Sequence, residues 1–188
     1  MTQFDVQPTD IAGLWRISPF ASFDNRGWFI KDYSDELFRV AGVPLDVKEV
    51  FYASSSVGVI RGVHFQRGRQ QTKLVRCITG EIFDVVVDLR PDSPTFKSWR
   101  AFILSGDNHE ELLIPGGCGH GYLVLEEAIV AYKCGEVFVP ECDDGIIWND
   151  SDLKIDWPIA DGVTPTLSRK DSSLQTFREF TDRYGGLI

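Results

Sequence analysis

Residues 58–80 carry the strongest fold signal in the chain: Gly58-Val59-Ile60-Arg61-Gly62-Val63-His64-Phe65-Gln66, then Gln71-Thr72-Lys73-Leu74-Val75, then Thr79-Gly80. Apolar and polar residues alternate here as they do in a β-strand, where every second side chain faces the same side. Counted at that period, Arg61 and Val63 share one face, and Ile60, His64 and Gln66 share the other. Titratable side chains on the inner face of a sheet cost free energy unless they are paired or do chemistry. The stretch therefore points to an active site inside a β-barrel.

Turn signals recur at short intervals on either side: Asp24-Asn25-Arg26-Gly27, Thr79-Gly80, Arg90-Pro91-Asp92-Ser93-Pro94, Ser105-Gly106-Asp107-Asn108 and Pro115-Gly116-Gly117. Between them lie short alternating or apolar runs at 47–54, 73–78, 82–89, 99–104, 111–114, 121–125 and 129–134. Many short strands separated by turns indicate an all-β sandwich or barrel. Helical signals are few. Residues 32–41 place Leu37, Phe38 and Val40 behind Ser34 and Asp35 and stop at Gly42, which reads as a short helix. A second helix is expected within 167–178, starting at Ser168. The Trp-rich segment 146–158 is expected to pack on the barrel surface.

The chain has 188 residues, enough for one well-buried domain spanning 1–188 and cramped for two. Its hydrophobic content of 43% and charged content of 25% belong to a folded globular chain. A net charge of −9 argues against general nucleic-acid binding, which calls for a basic stripe. It leaves room for a phosphate-bearing small molecule held by a few placed cations. No run is long and apolar enough to span a membrane, and the first five residues lack the basic and apolar regions of a secretion signal. Cys77, Cys118, Cys134 and Cys142 form no CxxC pair. They read as buried thiols of a cytoplasmic protein and not as a zinc knuckle.

Three histidines are present. His109 sits in a polar loop and is expected to be solvated and silent. His64 lies in a strand, and its bland reading is a satisfied core histidine. His120 is flanked by Gly119 and Gly121, which let the backbone bend and bring the imidazole inward. Tyr132 shares a strand face with Val130 and Cys134, which fits either a packed core aromatic or a site residue. Lys73 either snorkels outward or faces inward to hold a developing negative oxygen. Asp84 and Asp88 have the parity to share one face, and Lys73 is the expected cationic partner of an inward Asp84.

Taken together, these residues resemble the dTDP-4-dehydrorhamnose 3,5-epimerases, the RmlC-like cupins. The resemblance covers roughly 24–171. It is carried by Asp24–Gly27, Gly58–Gln66, Gln71–Val75, Asp84–Arg90, Asp92–Phe96, Ile114-Pro115, Gly119–Gly121, Tyr132-Lys133, Gly145–Asp150, Ile155–Pro158 and Leu167–Asp171. So many ordered matches are far more specific than a lone glycine motif. The resemblance implies a double-stranded β-helix (a cupin jelly roll) with a few short peripheral helices. It also implies a homodimer whose N-terminal strands reach the partner's site, a nucleotide-diphosphate-linked 4-keto-6-deoxyhexose as substrate, and no cofactor. Among the matched positions His64 is the base, Asp171 the acid that orients it, and Tyr132 the proton donor on the opposite face. Lys73 stabilises the enolate oxygen, with Asp84 keeping it charged, and His120 supports the site. Arg61 matches the diphosphate-binding arginine, with Arg26 and Lys170 adding to that grip and Gln66 lining the site. A metal-binding cupin would carry His-x-His, but the position two beyond His64 is Gln66, so a metal-free site is expected.

The chain departs from the family pattern at several places. Where relatives carry Gln, Asn, Ser and Ser before the Gly-Val-Ile-Arg-Gly motif, this chain has Glu49, Phe51, Ala53 and Ser55. Lys31 stands where they carry Glu, and Phe138 where many carry Tyr or Trp. Ionised Glu49 only accepts hydrogen bonds and Lys31 only donates them. That polarity suits cytosine and suggests, as the alternative substrate, a CDP-linked 4-keto-3,6-dideoxyhexose inverted at carbon 5. The bland reading is that Lys31 and Glu49 pair on the surface. A non-catalytic sugar-nucleotide-binding barrel is a further rival.

Overall fold

The computed structural model describes residues 4–160 and 162–187. Among the described residues eleven strands carry the fold: β1 Asp5–Pro8, β2 Trp15–Ser18, β3 Phe20–Asp24, β4 Gly27–Lys31, β5 Glu49–Ser55, β6 Ile60–Gln66, β7 Lys73–Asp88, β8 Trp99–Ser105, β9 Glu111–Ile114, β10 Cys118–Cys134 and β11 Asp143–Gly145. All pairings between named strands are antiparallel. β3 and β4 form a separate hairpin, and the other nine strands form one folded sheet.

The runs expected at 73–78 and 82–89 are one strand, β7, and those at 121–125 and 129–134 are one strand, β10. The turn signal Thr79-Gly80 is a bend inside β7, opposite three register shifts of β10 between Val124 and Val130. Extra residues of this kind bend a strand without ending it. Gly80 sits there at φ 74°, and a Cβ on it would meet the Glu127 carbonyl oxygen at 2.1 Å. On one side of the bend β7 and β10 pair with β9 and β5, and on the other with β8 and β6. The two strands thus pass from one layer of the barrel into the other.

Period 2 sorts their side chains. Val75, Cys77, Ile82 and Val86 of β7, with Tyr122, Val124, Val130 and Tyr132 of β10, fill the space between the layers. The outer face of the β6–β8 layer is covered by Leu153, Ile155, Trp157 and α2 (Phe177–Tyr184). The Trp-rich segment therefore packs where expected. The outer face of the other layer is covered by the N-terminal segment and α1 (Asp35–Val40) through Phe4, Phe38, Val43 and Leu45. The second helix begins later than Ser168. That serine opens only a single 3-10 turn, Asp171–Ser173, whereas Thr176 and Glu179 cap α2 reciprocally. Cys77, Cys118 and Cys134 are buried, and all four cysteines are free thiols. Among the described residues no helix is long and apolar enough to cross a membrane.

Candidate active site

An open pocket of about 690 Å³ lies at one end of the barrel, with His64, Lys73, His120, Tyr132 and Arg61 on its wall. β7 contributes Lys73 and Asp84, which fall on its inward parity with Val75, Cys77 and Ile82. β10 contributes His120 and Tyr132 by the same count, and β6 contributes His64.

Arg61 breaks the expected parity. It lines the pocket with His64, while Val63, Ile60 and Phe65 turn outward into the apolar layer under α2. The register explains it: His64 pairs with His120 and Arg61 with Tyr122, so three steps on β6 oppose two on β10. This extra residue moves Arg61 onto the pocket face. The strands touch closely at that point, since a Cβ on Gly121 would lie 2.9 Å from the Arg61 carbonyl oxygen. Gly119 and Gly121 serve close approach to β6, and the His120 imidazole between them faces inward as expected.

His64 Nε2 lies 2.5 Å from Asp171 Oδ1. Asp171 is buried, and burial alone would raise its pKa. The hydrogen bond and charge of His64, with Ser168 and Lys170, hold it below the usual value instead. The ionised carboxylate accepts a hydrogen bond from Nε2–H, which leaves the Nδ1 lone pair uncommitted to Asp171. The second imidazole, His120, is 2.7 Å from Asp84 Oδ2 with both side chains buried. The hydrogen-bond partner of Asp84 is therefore His120 and not the expected Lys73, which feels Asp84 only as a more distant charge. Parity aligned Asp84 with Asp88 as expected, but Asp88 lies outside the pocket. Its carboxylate holds Arg90, Ser93 and Thr95.

Burial lowers the Lys73 pKa, opposed by the charges of Cys134, Asp143 and Asp84. Burial, then Tyr122 and Asp84, push the Tyr132 phenol well above its ordinary range. Tyr132 therefore keeps its proton at neutral pH. Phe51 stacks on it with centroids 4.6 Å apart and planes 15° apart, and His120 meets it edge-on at 5.7 Å. Arg61 donates to Ser55 Oγ at 2.8 Å.

Several expected ligands sit differently. Gln66 lines the pocket, but its two amide hydrogens go to the carbonyls of Arg69 and Val137, and its oxygen accepts from Val139 N–H. Glu49 accepts from Phe138 N–H at 2.6 Å, and Phe138 stands half exposed at the rim. No ion pair joins Lys31 to Glu49 among the described residues. Arg26, paired with Asp24 at the hairpin tip, and Lys31 on β4 lie off this pocket's wall. Lys170 pairs with Asp143, a pocket residue that the sequence reading missed. His109 is not solvated. It is buried against Phe23 and Trp28, with ring centroids 5.8 and 5.6 Å away, because the β3–β4 hairpin folds over its loop.

Residues 8–179 match the family model described as dTDP-4-dehydrorhamnose 3,5-epimerase. The dTDP-4-dehydrorhamnose 3,5-epimerase of Methanothermobacter thermautotrophicus is 42% identical over 95% of this chain and 97% of its own length. The crystal structure of the Bacillus anthracis enzyme of that name, with TDP and PPi bound, superposes with a TM-score of 0.88 at 40% identity, covering 92% of this chain and 99% of that one. A 4-keto-6-deoxy sugar epimerase from the novobiocin gene cluster of Streptomyces spheroides superposes with a TM-score of 0.91 at 34% identity, covering 97% and 92%.

Proposed function

The chain belongs to the dTDP-4-dehydrorhamnose 3,5-epimerase family, and on that premise we propose how its pocket epimerises a dTDP-linked 4-keto-6-deoxyhexose. The carrying observation is that a carboxylate-oriented imidazole, a buried lysine and a high-pKa tyrosine line one pocket. A C–H bond beside a ketone is weakly acidic, and its heterolysis leaves the electron pair on the carbonyl oxygen as an enolate. Nδ1 of His64 takes the proton, and Asp171 stabilises the imidazolium that forms. The Lys73 ammonium stands for the enolate oxygen, where a preplaced charge costs no reorganisation. Tyr132 returns a proton to the carbon from the other face, which inverts the centre. The substrate loses one proton and gains one, His64 then releases its proton to water and the Tyr132 phenolate takes one back, so the cycle needs no oxidant or reductant. Arg61, steadied by Ser55, offers guanidinium donors for the diphosphate.

Incubation with dTDP-4-dehydro-6-deoxyglucose in heavy water, read by NMR, should wash deuterium into carbon 3, carbon 5 or both. Tight binding of the sugar nucleotide with no label at either carbon would leave a binding barrel and reject the enzyme. Running the CDP-linked sugar beside it tests the base, with the dTDP substrate expected to react faster.

The working unit is a cytoplasmic homodimer of single-domain chains. Phe23, Trp28 and Phe29 of the hairpin and Val50, Phe51 and Tyr52 of the edge strand β5 are exposed. Apolar surface of that kind favours a partner over water, and the family's arrangement supports a second copy of this chain. In that arrangement Arg26 and Lys31 serve the neighbouring pocket.

A further inference from the structure

Residues 136–139 cross the rim of the pocket without belonging to any strand, so their backbone groups need partners from elsewhere. Three consecutive amides are each taken by a different side chain. Val137 N–H donates to Glu136 Oε1 at 2.8 Å, Phe138 N–H to Glu49 Oε2 at 2.6 Å, and Val139 N–H to Gln66 Oε1 at 2.6 Å. The carbonyls are held as well, that of Glu136 by Gln71 Nε2 at 2.8 Å and that of Val137 by Gln66 Nε2 at 3.2 Å. Glu49 itself does not line the pocket, whereas Phe138 and Phe51 do.

We infer that Glu49 is a positioning residue. With Gln66, it sets the rim segment so that Phe138 and Phe51 form an apolar jaw through which the sugar enters, and it does not read the nucleotide base. The inference rests on the epimerase reading for its kinetic consequence only. The geometry accounts for a carboxylate at this position without any nucleotide contact. An ionised acceptor makes a stronger bond to an amide than a neutral one, and a short unladdered segment depends on each such bond.

Hydrogen exchange in the ligand-free protein tests the anchoring without substrate. Glu49→Ala should speed exchange at Phe138 about tenfold, with smaller increases at Val137 and Val139. Glu49→Gln, whose amide oxygen still accepts, should recover most of the protection. In the epimerase assay Glu49→Ala should raise KM several-fold for dTDP- and CDP-linked sugars alike, with kcat within about twofold, and Glu49→Gln should restore KM. Phe138→Ala should raise KM similarly while leaving exchange at Val139 unchanged. Unchanged exchange at Phe138 in Glu49→Ala would overturn the anchoring. A change in the dTDP-to-CDP preference in Glu49→Gln would assign Glu49 to the base instead. If no assay substrate reacts, the exchange result still decides the anchoring while the epimerase reading fails separately.

Discussion

Each residue of the site owes its chemistry to its neighbours. Lys73 must be an ammonium to hold an enolate, yet burial lowers its pKa, so the charged form is lost at a lower pH than for a free lysine. Tyr132 shifts the opposite way and keeps its proton after Lys73 has lost its own. The alkaline limb of kcat should therefore belong to Lys73 and lie below the 10.5 of an ordinary lysine. Lys73→Met should cost about 10²–10³ in kcat and remove that limb from the residual deuterium wash-in. A limb that stays in place would assign it to another group. His64 was legible because an imidazole at strand parity among apolar residues needs a reason, and its Asp171 partner followed from the family resemblance. The partner of Asp84 was not legible. Period 2 says which side chains face inward, but not which of two inward nitrogen-bearing side chains comes within 2.7 Å.

The elements hold these residues in place through one irregularity. The extra residue of β6 against β10 turns Arg61 toward the pocket, and Gly121 lets the two backbones close there. Gly121→Ala would place a methyl 2.9 Å from the Arg61 carbonyl and 3.2 Å from Gly62 Cα. It should raise KM for the sugar nucleotide several-fold and lower Tm by roughly 2–4 °C per kcal/mol of strain. An unchanged KM in a folded variant would mean that Arg61 does not depend on this contact. Period-2 counting put Arg61 with Val63 because a bulge leaves no mark in composition. It also split β7 and β10 at their bends, since Thr79-Gly80 reads the same whether a chain reverses or kinks. α2 was misplaced toward Ser168 for a related reason. Ser168, Ser172 and Thr176 each have an acidic or amide side chain three residues on, at Asp171, Gln175 and Glu179, and the reciprocal cap forms at the last of them.

For the whole molecule, the layered all-β architecture was legible from the recurring turns and apolar runs, and the jelly roll from the resemblance. The rim was less so, because the bonds that Glu49, Gln66 and Gln71 make are long-range in sequence. The hairpin that buries His109 also presents Phe23, Trp28 and Phe29 outward. Sedimentation should give twice the chain mass at micromolar concentration, and Trp28→Asp with Phe29→Asp should yield monomers. Because Arg26 and Lys31 would then be lost from the neighbouring pocket, the monomer should also bind sugar nucleotide more weakly. A wild-type monomer with full activity would reject the dimer.

Lys73 and Asp84 stand on one unbroken strand, and His120 and Tyr132 on another hydrogen-bonded to it along both arms. Four groups of the proposed site thus ride on two ribs of a single cage. Swinging one wall open would strain the other, so the reactive centre has no hinge of its own. Whatever yielding substrate entry and product escape require must come from the rim segment 136–139 and not from the cage.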